Sequence, residues 1–483
     1  MTVGYSLFMA GTRLALVKEL VAGDGNGGLN KTRIGLLSVV LAAVAFGLGA
    51  VRHPLWAKVL GVGKYAVKNK VEGEVAPGFE AVREAFQQNV DEGLEHGAQF
   101  AVYYKGRKVV DLHGGTLGDK YDGESLQFAF SLSKNLAAIV VARLVADGHL
   151  DYNAKVSKYW PEFAQNGKED ITVADVLRHE AGLPYRSDGK LIPGEMFHTS
   201  NLDESAALMA GLAPVWTNKD SLEPHDRIYH AATRGLLLQE IVRRADPQHR
   251  TVGQIIRQEI AQPMGITAAV GDLTPEERER VWRLDFNGIP HFLISHFFKL
   301  ITGQTTKEER DRFGGFGNTS SELSLAWNAI DMKSFKNPND WFNDPLMYEL
   351  EILSANVYTN ALSVAKIADA MARRDMFDAK THAVAESEPI VRYDKALFME
   401  TAFTKGGFCK LDAPLFDPVF NSFYGWGGFG GNLMAWSNDL ELAIAYVMNG
   451  NIFSSIFGAK DPRCIRLSKA LLKCIEAQEA KSA

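Results

Sequence analysis

The chain has 483 residues, 46% hydrophobic and 23% charged, with a formal net charge of −6. This is the composition of a globular protein with one large domain or two to three average ones, which sets aside disordered and fibrous classes. Lysine and arginine are dispersed rather than gathered into a basic stripe, so nucleic acid is not an expected partner. The three cysteines, Cys409, Cys464 and Cys474, have no ligand-like spacing and suggest neither a disulfide framework nor a zinc site.

Residues 1–33 form an N-terminal segment, and 34–51 follow as an uncharged stretch between Lys31, Arg33 and Arg52. That stretch is just long enough to span a bilayer. It predicts a single-pass membrane anchor in a mitochondrial or secretory compartment, with a late-cleaved signal or a docked helix as alternatives. Asn30-Lys31-Thr32 and Asn318-Thr319-Ser320 match the glycosylation pattern but fall on opposite sides of the span. Residues 52–76 read as a lysine-rich linker punctuated by glycine.

From residue 77 to 477 the pattern is that of an α+β domain. Helical spacing over 79–95 is followed by strands at 99–104 and 108–112, joined as a hairpin through Lys105-Gly106-Arg107. Helices are predicted from Ser131 to a stop at Asp147-Gly148, then over 172–179, 205–212, 232–244, 251–261 and 362–373. Residues 289–301 are unusually apolar and read as a core helix, or alternatively as a lid touching acyl chains or membrane. Strands return at 430–436 and 440–448, paired across Ser437-Asn438-Asp439. A closing helix over 462–477 holds Cys464 and Cys474 too far apart to bridge. An antiparallel sheet flanked by helices, contributed by 77–135 and 400–477, is thus interrupted by a mainly helical insertion over 136–399.

Within this frame Ser131-Leu132-Ser133-Lys134 opens an apolar helix. A residue three places on lies one turn away on the same face, so the Lys134 amine is placed beside the Ser131 hydroxyl. Burial lowers a lysine pKa, and a helix N-terminus favours nearby negative charge; both suit a serine nucleophile with a built-in base. Tyr229, just before the helix that begins near Gly235, is the candidate second base, its pKa expected to fall beside a charged Lys134. The run Tyr424-Gly425-Trp426-Gly427-Gly428-Phe429-Gly430-Gly431 lets a strand backbone approach a substrate, with N–H groups there and at Ser131 facing an oxyanion. His179 reads as a structural hydrogen-bonding histidine. No G-x-S-x-G elbow or clustered metal-ligand spacing is present, and no cofactor is implied.

The order of these motifs resembles the serine β-lactamase-like family. That family includes class C β-lactamases, penicillin-binding peptidases, family VIII esterases and the mitochondrial β-lactamase-like protein. The similarity extends over residues 78–477 and includes Val156-Ser157-Lys158-Tyr159-Trp160-Pro161, Glu259-Ile260-Ala261-Gln262-Pro263-Met264-Gly265 and Ser354-Ala355-Asn356-Val357-Tyr358-Thr359-Asn360-Ala361. The resemblance implies a β-lactamase/transpeptidase-like fold, with Ser131 as the acylated nucleophile and Lys134 and Tyr229 as its bases. It further implies the Ser131 and Phe429 amides as the oxyanion hole, and Trp426, Gly427 and Gly428 as the substrate-binding strand.

Two departures from the family pattern stand out. Where β-lactamases and peptidases have Tyr-x-Asn, this chain has Tyr229-His230-Ala231, and alanine cannot bind a substrate amide. Where they carry Lys-Thr-Gly, this chain has Trp426-Gly427-Gly428, a form similar to that in family esterases, without the cation and hydroxyl that hold a β-lactam carboxylate. The expectation is therefore a membrane-anchored serine hydrolase acting through an acyl-enzyme on small-molecule, lipid or peptide esters. A peptidase or amidase of the same fold is the alternative enzyme, and a membrane-anchored scaffold with relict activity the alternative from another class.

Overall fold

The computed structural model describes residues 70–482 except 93, 119, 217–225, 285–309, 311–317, 332, 334, 337–339, 413 and 451–457. The stretches 34–51 and 289–301 lie outside the described residues. Among the described residues no helix is long and apolar enough to cross a membrane.

Ten strands share one sheet. In chain order they are β1 (Lys70–Val75), β2 (Gly97–Tyr104), β3 (Arg107–Gly115), β4 (Asp226–Arg227), β5 (Ile390–Asp394), β6 (Met399–Phe403), β7 (Cys409–Lys410), β8 (Tyr424–Gly427), β9 (Leu433–Ser437) and β10 (Leu442–Met448). Their spatial order is β1-β3-β2-β10-β9-β8-β7-β6-β5-β4. Each neighbouring pair is antiparallel except β4 with β5. The expected hairpin joins β2 to β3. Lys105 and Gly106, at φ 50° and 73°, make a two-residue turn whose left-handed residues match the twist of the strands. Every residue of β10 is buried, as a central strand covered on both faces requires.

Five helices frame the sheet and the site: α1 (Glu80–Asp91), α2 (Ser133–Ala146), α3 (Thr233–Ala245), α4 (Ala361–Ala372) and α5 (Pro462–Ser482). Adjacent residues of β2 show how they are layered. Tyr104 donates its hydroxyl to Glu479 of α5 at 2.7 Å, whereas Tyr103 senses Asp369 of α4. Successive side chains of a strand point to opposite faces, so α4 and α5 cover opposite sides of the sheet. α1 packs with α5, and α4 lies across β2, β9 and β10. Asn360 starts α4 by accepting the Ser363 N–H at 2.8 Å, a side-chain cap for an otherwise orphaned donor. Cys464 and Cys474 both lie on α5, and all three cysteines are free and buried.

Three sequence boundaries move. Residues 70–75, assigned to the linker, form the edge strand β1, held to β3 along six residue pairs from Lys70↔Gly115 to Val75↔Val110. β4 and β5 join the sheet from within the segment read as mainly helical. The strand expected from residue 430 starts at Leu433, because Gly428–Asn432 is a tight turn in which Gly428 N–H donates to Asn432 O at 2.8 Å.

Candidate active site

α2 is buried almost all round, as its apolar sequence predicts, and it presents its N-terminus to the site. Ser131 sits half-buried in the turn leading into it, directly after Phe130, whose φ of 50° is a strained conformation for a bulky residue. The turn is held from outside. Ala129 N–H donates to Val357 O at 2.9 Å, while Ser133 Oγ donates to Phe130 O at 2.6 Å and accepts from Val357 N–H at 2.9 Å. The Ser133 hydroxyl is thereby committed to structure, whereas the Ser131 hydroxyl meets Lys134.

Lys134 is 2% exposed and its Nζ lies 3.2 Å from Ser131 Oγ, as the three-residue spacing predicted. The amine also donates to Ala231 O at 2.9 Å and to Ser354 O at 2.7 Å. Burial, and secondly the Arg234 charge, push its pKa well below that of an ordinary lysine. A neutral amine has two N–H groups and one lone pair. With both N–H groups spent on the two carbonyls, the lone pair is directed at the Ser131 hydroxyl, the arrangement of a general base.

Tyr229 joins them from the segment between β4 and α3. It is 1% exposed, with its hydroxyl within hydrogen-bonding reach of Ser131 and accepting from the Trp426 indole N–H at 3.2 Å. The Lys134 Nζ lies 4.6 Å from the centre of its ring. The expectation that a charged Lys134 lowers the Tyr229 pKa is corrected here. Burial raises that pKa, outweighing its hydrogen bonds and the Arg234 charge. Tyr229 is a neutral phenol, suited to donate a proton.

The next residue explains how Tyr229 is fixed. His230 donates Nδ1–H to Ile228 O at 2.8 Å and accepts Leu183 N–H on Nε2 at 3.0 Å, and burial drops its pKa to about 3. Its backbone N–H donates to His179 Nδ1 at 3.0 Å, and the His179 ring packs 4.5 Å from that of Tyr229. His179 is fully buried and, for that reason first, neutral, which is the structural role expected for it. The Tyr229 N–H is held at 3.0 Å by Asp394 of β5.

The glycine strand closes the site. β8 ends against the nucleophile turn so tightly that a Cβ on Gly428 would collide with Ala129 O, and the Phe130 and Phe429 rings meet at 5.5 Å. Gly425 (φ 144°) likewise has its Cβ position filled by Met434 O. Gly427 is buried at the end of β8, and Phe429 follows Gly428 directly. Trp426, read as substrate-binding, is 1% exposed, and its indole N–H goes to Tyr229, while its carbonyl accepts from Asn135 Nδ2 at 3.2 Å. Both its indole N–H and its carbonyl are thus engaged within the protein.

A beta-lactamase family model matches residues 82–461, most of the chain and all of the site described above. The chain belongs to the beta-lactamase family. Two solved structures of similar fold are a family VIII carboxylesterase, 27% identical with a TM-score of 0.67, and a penicillin-binding protein homolog from Caulobacter crescentus, 27% identical with a TM-score of 0.66. In both comparisons 84% of this chain covers 100% of the other. A curated relative, the esterase/beta-lactamase LipL of Mycobacterium tuberculosis, is 31% identical over 199 residues, 40% of this chain. The aligned region spans 43% of that relative's length.

Two site residues carried no role in the sequence. Ser354 gives its carbonyl to Lys134, and its hydroxyl accepts Gly235 N–H and donates to Ala232 O, both at 2.9 Å. The stretch beginning at Ser354 is part of the family resemblance, so a signal existed without a mechanism attached. Arg234 had no signal beyond its place after Tyr229.

Proposed function

We propose that this protein is an esterase-type serine hydrolase that forms an acyl-enzyme on Ser131, acting on uncharged esters with apolar acyl groups. The observation that carries this reading is the buried Lys134 amine, held 3.2 Å from Ser131 Oγ by the carbonyls of Ala231 and Ser354. Lys134 takes the Ser131 proton as Oγ attacks the ester carbonyl. The negative oxygen that forms is received by the Ser131 and Phe429 N–H groups. Tyr229 then gives its proton to the departing alkoxide and regains one from Lys134. Water enters along the same path, Ser131 leaves, and the acid is released.

Three features support esters over β-lactams and peptides. Ala231 and Trp426 stand where an amide-binding asparagine and a carboxylate-binding cation would be needed. Phe130, the residue before Ser131, belongs to an aromatic cluster: it meets Phe429 and Phe342 at 5.5 and 5.2 Å, and half-buried Trp327 meets Phe429 at 5.3 Å. Such apolar surroundings suit an apolar acyl chain better than a charged group. The similarity to a family VIII carboxylesterase points the same way.

A panel of p-nitrophenyl esters, a chromogenic cephalosporin and a peptide library tests the proposal with the full chain. Ester kcat/KM is expected to exceed the others by about 100-fold or more, since each missing polar partner is worth roughly 1–3 kcal/mol. Peptide or cephalosporin turnover above ester turnover overturns it. In the same reading, residues 34–51 anchor the domain. Their deletion is expected to move the protein from the carbonate-resistant membrane pellet to the supernatant, and an unchanged distribution rejects the anchor.

A further inference from the structure

Arg234 lies in the first turn of α3, five residues after Tyr229. It is 1% exposed, and its Nε and Nη2 have no hydrogen-bond partner. Among the described residues it makes no ion pair, whereas nearby Arg227, equally buried, reaches Glu180 at 2.8 Å. The fold makes room for this bare charge. A Cβ at Gly407 would stand 2.6 Å from Arg234 Nη2, so the positive-φ glycine (82°) leaves space for the guanidinium tip against Leu177. Burying a cation without a counter-charge is costly, and a protein that tolerates it beside a site keeps it for its field.

The same turn holds the base. Ala231 O and Ser354 O accept from Lys134 Nζ, while Ser354 Oγ ties to Ala232 O and Gly235 N–H on either side of Arg234. One rigid turn thus carries the carbonyl that orients the amine and an uncompensated positive charge.

We propose that Arg234 is an electrostatic positioning residue: its unpaired guanidinium keeps Lys134 in the free-amine form that accepts the Ser131 proton and steadies negative charge on the Tyr229 oxygen. This rests on the serine hydrolase reading above. Burial and then Arg234 are the causes that depress the Lys134 amine, and Arg234, lowered by its own burial to about 10, stays charged through the working range. Other groups face the pair from every side. Tyr229 and His230 precede α3, His179 lies on the loop after Leu177, and Asp394 lies on β5 with the Arg227–Glu180 pair beyond. Both histidines are neutral. Asp394, raised by burial to about 7 and countered by Arg227, sits behind the Tyr229 backbone and receives its N–H.

The experiment is the pH profile of kcat/KM on a short p-nitrophenyl ester for wild type, Arg234→Met, Arg234→Gln and Arg234→Lys. Removing a cation favours both the ammonium and the neutral phenol. The acid limb, set by Lys134, is therefore expected to move to higher pH by about one unit in the neutral variants. Arg234→Lys is expected to follow wild type. A uniform loss of rate with unmoved limbs, or a shift in Arg234→Lys equal to that in Arg234→Met, overturns the proposal. Should the neutral variants not fold, NMR of the lysine ε-carbons in the wild-type chain still tests the premise: an ammonium at neutral pH rejects the proposal. Loss of turnover in Ser131→Ala together with unmoved limbs rejects the role of Arg234 while leaving the hydrolase reading intact.

Discussion

Ser131→Ala is expected to lower ester turnover by about 10⁴-fold or more, the scale on which a nucleophile's loss removes covalent catalysis and leaves only binding and oxyanion stabilisation. A fluorophosphonate should label wild type and not this variant. Folding is expected to be untouched, because Ser131 is half-buried and the turn depends on Ser133, Val357 and Ala129; melting should shift by less than about 0.5 kcal/mol in stability. Tyr229→Phe is the graded companion. It keeps the ring against His179 and Trp426 but loses the proton donor, and it should cost about 10²–10⁴ in kcat with KM little changed. Equal labelling of wild type and Ser131→Ala, or full rescue of cellular function by Ser131→Ala, overturns the catalytic assignment and favours a scaffold.

Lys134→Met is expected to be as damaging to catalysis, with a signature in stability that separates it from Ser131→Ala. Methionine fills similar space but leaves Ala231 O and Ser354 O without their donor, at about 1–3 kcal/mol for each buried acceptor left unpaired. The pH dependence has a definite sign. The folded amine titrates well below its value of about 10.4 in the unfolded chain, so between those two pH values the unfolded state binds the extra proton. The contribution of Lys134 to stability therefore grows as pH rises through that window and is lost as pH falls toward the folded value. Urea midpoints of wild type and Lys134→Met should diverge from pH 7 to pH 10. Parallel curves would mean that Lys134 is an ammonium in the folded protein.

The β3-β2-β10 part of the sheet was legible because its signals are local. Lys105-Gly106 has the turn chemistry of a tight hairpin, and β10 is a run of apolar residues in a strand covered on both faces. β1 was not legible, since Lys-Val-Glu-Gly-Glu-Val has the polarity of a linker and becomes a strand only by pairing with β3. The two-residue β4 was invisible for the same reason: its place is set by β5, more than 160 residues away. The helical insertion was recognised as helical, yet its periodicity gave no hint that it also supplies β4 and β5 at one end of the sheet.

For the site, the sequence by itself determined which groups meet along the chain. Ser131 and Lys134 are one helical turn apart, so their proximity follows from backbone geometry alone, and the order of motifs placed Tyr229 and the Gly427-Gly428 strand in the same family of catalysts. Only the tertiary structure decided their protonation. Sequence suggested that a charged Lys134 would lower the Tyr229 pKa, but burial raises it, and burial lowers that of Lys134. Two distant carbonyls occupy the N–H groups of Lys134, Trp426 and His179 seal Tyr229, and the unpaired Arg234 sets the sign of the local field. Desolvation and long-range charge depend on everything packed around a group, and a linear sequence does not specify that packing residue by residue.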